Sequence, residues 1–210
     1  MLIIGAGGLA AQIFPDIEAM HLPDVAFWSE IETQYVFIKN KFPVLSNDEM
    51  VKTFFLNKTK TFILCVGSPL ARRMMEKKFT DLGGSLATYI SPFSTLSPYS
   101  EVARGTTILS NVIIESGVTL QEGCLVNKTS NIGHGCQIGA YSELAPGVIL
   151  AGEVTLGENC YIGTRSVILP KVKIGNNVSI AAGAIVKKNV PANSIVAGPV
   201  TTILKKRKTQ

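Results

Sequence analysis

Every sixth residue from Leu96 to Val186 is aliphatic, beginning Leu96, Val102, Ile108 and ending Ile174, Ile180, Val186. Sixteen successive positions keep this rhythm without one insertion. A helix repeats its buried face every 3.6 residues and a strand every two, so neither element produces a period of six. A β-helix of hexapeptide repeats does, because three hexads close one triangular coil. Residues 18 apart then stack at the spacing of neighbouring strands, about 4.8 Å, and the run supports roughly five coils. Such a coil is the left-handed exception to the usual handedness of parallel crossovers.

The slot four residues after each aliphatic is small or β-branched: Val118, Cys124, Ser130, Cys136 and Ser142, for example. Three of the four cysteines (Cys124, Cys136, Cys160) fall in this inward slot, which argues for packing over metal or redox chemistry. Cysteines without close pairing, and an opening "MLIIGAGGLAAQIF" that lacks a basic leader, predict a reducing cytoplasmic setting. Glycine often follows the aliphatic residue, as at Gly133, Gly139 and Gly157, where a tight corner favours a residue without a side chain.

Residues 1–88 read differently. "MLIIG", "VAFWS" and "TFILCVG" are strand-like, "LAAQIFPDIEAM" is helix-like, and "LARRMMEKKFTDLG" is a helix stopped at Gly83 and Gly84. Strands alternating with helices predict a Rossmann-like parallel sheet. Gly5, Gly7 and Ala10 form a G-x-G-x-x-A turn between the first strand and helix, where backbone N–H groups, those of Gly7, Gly8 and Leu9 included, can hold a phosphate. The expected organisation is thus an α/β unit at 1–88, a left-handed parallel β-helix at 89–200 and a basic tail at 201–210.

The net charge of +5 owes four charges to Lys205, Lys206, Arg207 and Lys208, which leaves the body near neutral and gives nucleic acid little to bind. No stretch reaches the roughly 18 apolar residues that cross a membrane, so membrane insertion is not expected.

Within "NIGHGCQIGAYSELAPG" (131–147) lies the one histidine of the second half, His134, in the third position of its hexad. One coil later that position is Gly152, and one coil earlier it is Ser116. A glycine above an imidazole leaves a side-chain-sized gap and an unobstructed N–H: a base, a space and an oxyanion donor together. Spacing alone leaves open whether this is a site or a common corner glycine.

The whole chain resembles sugar acetyltransferases that join a nucleotide-binding domain to a left-handed β-helix, the sialic acid O-acetyltransferase group and the N-acetyltransferases of nucleotide-linked amino sugars. "LIIGAGGLA", "YISPFSTLSPYSEVARGTTI", "LVNKTSNIGHGCQIGAYSELAPGVILAGEVTLGENCYIG" and "IVAGPV" carry the resemblance. It implies that His134 is the general base, taking a proton from the acceptor as it attacks the thioester of acetyl-CoA. Imidazole suits that task, its unperturbed pKa being about 6.5. The resemblance further implies an active-site role for Asn127 and acetyl-CoA contacts at Gly152, Thr164 and Ala182. Gly7, Gly8, Leu9, Glu30, Gly67 and Arg72 match the side that binds the nucleotide sugar. It implies a homotrimer with the donor between neighbouring β-helices, and a product for surface glycan synthesis.

Three departures stand out: Gly133 and Gly135 replace the acidic residues that commonly flank the histidine, and Glu143 replaces a second histidine. Glu143 is therefore a candidate to orient His134 or raise its basicity, within a chain or across a subunit boundary; otherwise it faces solvent. A γ-class carbonic anhydrase needs three zinc-binding histidines, and this chain has only His21 and His134. An NAD-dependent oxidoreductase would rest on the glycine loop alone. A non-catalytic nucleotide-sugar-binding scaffold is the serious rival.

Overall fold

The computed structural model describes residues 1–30, the backbone of 37–38, and 41–197. The basic tail at 201–210 and the last three residues of "IVAGPV" lie outside the described residues.

The N-terminal unit runs β1 (Leu2–Ile4), α1 (Gly8–Ala11), α2 (Phe14–Met20), β2 (Ala26–Trp28), β3 (Phe37–Ile38), β4 (Phe42–Leu45), α3 (Asp48–Asn57), β5 (Thr61–Leu64), α4 (Pro69–Asp81) and β6 (Ser85–Leu86). Alternate residues of the strands point to opposite faces of the sheet. Ile3, Phe27 and Ile63 meet Ile13, Phe14 and Ile17 on one side, while Leu2, Ile4, Phe62 and Leu64 meet Val51, Phe55 and Phe79 on the other. A sheet covered on both faces needs continuous apolar strands, and "LII", "AFW" and "TFIL" are such runs.

Two readings of this unit change. The expected helix over "LAAQIFPDIEAM" is two helices, α1 and α2, with Pro15 in the first turn of the second. The sheet also carries an antiparallel pair, β3 with β4, at its edge. Helix α3 went unread although its start is written in "SNDE": the Asn47 side chain accepts from the Met50 N–H at 2.9 Å.

Strand order is β3-β4-β2-β1-β5-β6, so the chain builds outward from β1 on one side and then returns to place β5 on the other. A crevice opens at such a reversal, beyond the carboxyl ends of β1 and β5.

From Tyr89 the chain winds as two-residue strands on three parallel faces, which fits a left-handed β-helix. Face 1 stacks seven strands from Tyr89–Ile90 to Ile195–Val196; face 2 stacks six, from Thr95–Leu96 to Ile185–Val186; face 3 stacks five, from Glu101–Val102 to Lys173–Ile174. Partners are 18 residues apart, as in Leu125↔Glu143, Asn131↔Ile149 and Gln137↔Thr155. The stack starts one hexad before Leu96 and so exceeds five coils.

From Ile108 to Val186 the second residue of each strand fills the interior, and the small slot is buried with it, Cys124, Cys136 and Cys160 at 0% exposure. Polar atoms in that slot share one solution. The Ser130, Ser142 and Ser166 hydroxyls and the Cys136 thiol each donate to the carbonyl 15 residues ahead, at 2.8–3.2 Å. Burial pushes the Cys65 and Cys124 thiols up to about 12 and raises those of Cys136 and Cys160, which keeps all four protonated.

The corners correct one expectation. Every sixth residue from Gly105 to Gly183 has a left-handed φ of 55–73°, and this column lies three residues after the aliphatic one. The glycines directly after the aliphatic residues serve close stacking instead: a Cβ on Gly139 would sit 2.4 Å from the Gly157 carbonyl carbon. Gly139→Ala is therefore expected to destabilise the protein by about 2–3 kcal/mol, measured by denaturant unfolding. Wild-type stability in that variant would contradict the stacking argument.

The N-terminal unit covers the lower part of face 1: the outward residues Tyr89, Thr107, Leu125 and Glu143 are buried, whereas Tyr161, Ser179 and Ile195 above them are exposed. Face 3 presents polar side chains, Glu101, Gln137, Thr155 and Lys173. Face 2 presents Ile113, Ile149 and Ile185 at 47, 45 and 58% exposure. Among the described residues no helix is long and apolar enough to cross a membrane.

Candidate active site

The crevice gathers most of the nucleotide-side candidates. Gly7, Gly8 and Leu9 follow β1, Glu30 follows β2, and Gly67 follows β5, all at the carboxyl edge of the sheet. A Cβ on Gly7 or Gly8 would meet nothing within 4 Å, so space is left there for an approaching ligand. Gly5 has a separate reason: its φ is 117° and a Cβ would lie 2.5 Å from the Cys65 carbonyl oxygen. Glu30 is exposed.

Arg72 does not join them. Its side chain is fully buried beneath α4, where Nε donates to the Gly123 carbonyl at 2.7 Å and Nη1 to those of Leu64 and Val66. Nη2 donates to the Gly105 and Cys124 carbonyls and to the Thr107 hydroxyl. Burial lowers its pKa to about 10, still charged at neutral pH. The expectation that it holds substrate is overturned, since every nitrogen is committed to fastening the α/β unit onto the coil. The same seam contains Tyr89 donating to the buried Asp16 at 2.7 Å, and Arg104 and Tyr141 bound to Glu76.

Glu143 projects from face 1 into this seam. Its Oε2 accepts from the Ser68 N–H at 2.8 Å, and Gly67 lies against the carboxylate, where a Cβ would be 3.4 Å away. Ser68 caps α4 with φ 65°, a conformation costly for a residue with a side chain, and so aims its N–H at Glu143. Sequence reasoning missed Ser68, though its place between Gly67 and Pro69, ahead of a helix, was a usable sign. A cleft of ≈ 340 Å³ opens beside it, bordered by Pro69, Arg73, Asn159 and Asn177.

His134 sits elsewhere, at the corner between faces 2 and 3, on the far side of the coil from face 1. Glu143 of the same chain therefore does not orient it, and the within-chain form of that expectation is overturned. The ring is exposed, and neither ring nitrogen is hydrogen-bonded among the described residues. It lies flat beneath Gly152: a Cβ there would be 2.5 Å from Nε2 and 2.6 Å from Cε1. The Gly152 N–H likewise makes no hydrogen bond among the described residues, whereas its carbonyl accepts from Lys171.

The remaining candidates occupy the corner between faces 1 and 2. Thr164 and Ala182 are exposed there, one coil apart. Asn127, below them, is 4% exposed, and its Nδ2 and backbone N–H both donate to the Leu144 carbonyl, so this side chain braces the corner. A single chain thus divides the candidates among two corners and a crevice on face 1.

The comparisons with known proteins support an acyltransferase. Residues 153–188 match the family model for bacterial transferase hexapeptide (six repeats). The whole chain is similar to a mutant of perosamine N-acetyltransferase from Caulobacter crescentus, in complex with CoA and GDP-perosamine. That match has 25% identity and a TM-score of 0.86, over 94% of this chain and 92% of that one. It is also similar to the acetyltransferase domain of PglB from Neisseria gonorrhoeae in complex with acetyl coenzyme A, with 26% identity and a TM-score of 0.84 over 94% and 95% of the two chains. WeeI from Acinetobacter baumannii shares the fold, at 22% identity and a TM-score of 0.83 over 94% and 95%.

Proposed function

We propose that the protein transfers the acetyl group of acetyl-CoA to the amino group of a nucleotide-linked sugar, with His134 as general base. The observation that carries this reading is the unengaged imidazole stacked under the side-chain-free Gly152. The acceptor nitrogen attacks the thioester carbonyl, forming the C–N bond and an oxyanion as its proton passes to His134; the C–S bond then breaks and CoA leaves as the thiol, taking that proton from the imidazolium. The Gly152 N–H, without a hydrogen-bond partner among the described residues, meets the negative charge on the carbonyl oxygen. The solved relatives of 25–26% identity, in complex with CoA and GDP-perosamine or with acetyl coenzyme A, support the donor and an amino acceptor over a hydroxyl.

The α/β unit, residues 1–88, works as a Rossmann-like nucleotide-sugar domain, with phosphate at Gly7–Leu9 and Glu30 toward the ribose or base. The division of the site argues for a homotrimer. Packing face 2 inward covers Ile113, Ile149 and Ile185 and brings the His134 corner of one copy beside Asn127, Thr164 and Ala182 of the next. Acetyl-CoA then lies between coils, while Glu143 and the crevice supply the acceptor's side. The product serves surface glycan synthesis in the cytoplasm.

Purified protein is mixed with acetyl-CoA and GDP-perosamine, then with amino sugars on other nucleotides, and free thiol is followed. Acceptor-dependent thiol release is expected, absent with a hydroxyl analogue of the same sugar. Binding of both substrates without thiol release would establish the scaffold reading instead.

A further inference from the structure

Position 135 is a glycine with φ 69°, so no carboxylate follows His134 in the chain. The coil below supplies one. Glu115 Oε2 accepts from the His134 backbone N–H at 2.7 Å. Gly133, stacked above Glu115, presses against the next coil instead, where a Cβ would sit 2.9 Å from the Ala151 carbonyl carbon. The same brace recurs at the next corner, where Gln121 Oε1 accepts from the Ala140 N–H at 3.2 Å and the residue stacked above is Gly139. The hydrogen bond therefore needs only an amide oxygen. The brace at the corner with an imidazole carries a full negative charge.

We propose that Glu115 is a positioning residue for His134, holding its backbone and offsetting the positive charge the ring acquires on taking the acceptor's proton. The proposal rests on His134 being the base. The other charged group at this corner is Glu153, one coil above, whose N–H donates to the His134 carbonyl at 2.8 Å. Its carboxylate faces Lys171 at 3.9 Å, which balances its charge, whereas Glu115 forms no ion pair among the described residues.

Glu115→Gln, Glu115→Ala and His134→Asn are compared in the full-length protein by steady-state kinetics and thermal unfolding. Glu115→Gln retains the brace and loses the charge, so kcat falls about tenfold while both KM values and the unfolding midpoint stay unchanged. Glu115→Ala loses both, lowering kcat at least as far and the midpoint as well. Wild-type kcat in Glu115→Gln alongside an inactive His134→Asn would overturn the proposal and leave a structural brace. An active His134→Asn would instead overturn the reading of His134 as base.

Discussion

His134→Asn lowers kcat by about 10²–10⁴-fold, the span a positioned general base contributes, with little change in KM for acetyl-CoA. Asparagine is close to histidine in reach but accepts no proton at neutral pH, and the ring is exposed at a corner outside the core, so stability is preserved. Gly152→Ala should show a comparable loss for a steric reason, since the added methyl lands 2.5 Å from Nε2 and evicts the ring. Folded His134→Asn protein turning over within threefold of wild type would place the chemistry elsewhere.

Arg72→Met produces the largest loss of stability. Six acceptors around a fully buried side chain lose their donor, at a cost of about 3–5 kcal/mol. The unfolding midpoint falls by about 10 °C for a chain of this size. Arg72→Lys does not restore it, because one ammonium cannot reproduce a planar fork that reaches carbonyls on both sides of the seam. A midpoint within 2 °C of wild type for Arg72→Met would show that the seam holds without it.

The coil was open to reading because its rule is local: one aliphatic residue per hexad fixes face, register and stacking for the whole second half. His134 and Gly152 followed from the same arithmetic, and Gly7, Gly8 and Gly67 from strand ends. What stayed hidden depends on contacts between the two units. Arg72 looked available because sequence gives its position on α4 and not the carbonyls of Gly105, Gly123 and Cys124 that surround it. Glu143 lies nine residues from His134 in sequence, yet those nine carry it across face 3 and a further corner to face 1. Glu115, 19 residues before His134, is its true neighbour.

The 18-residue register also limits how such a chain can change length. Adding or removing one hexad above His134 turns everything beyond it by a third of a revolution, sending Gly152 to a different edge of the prism. Even a whole coil added between them returns Gly152 to the right edge but one rung too far, so the interval between His134 and Gly152 tolerates no change of length.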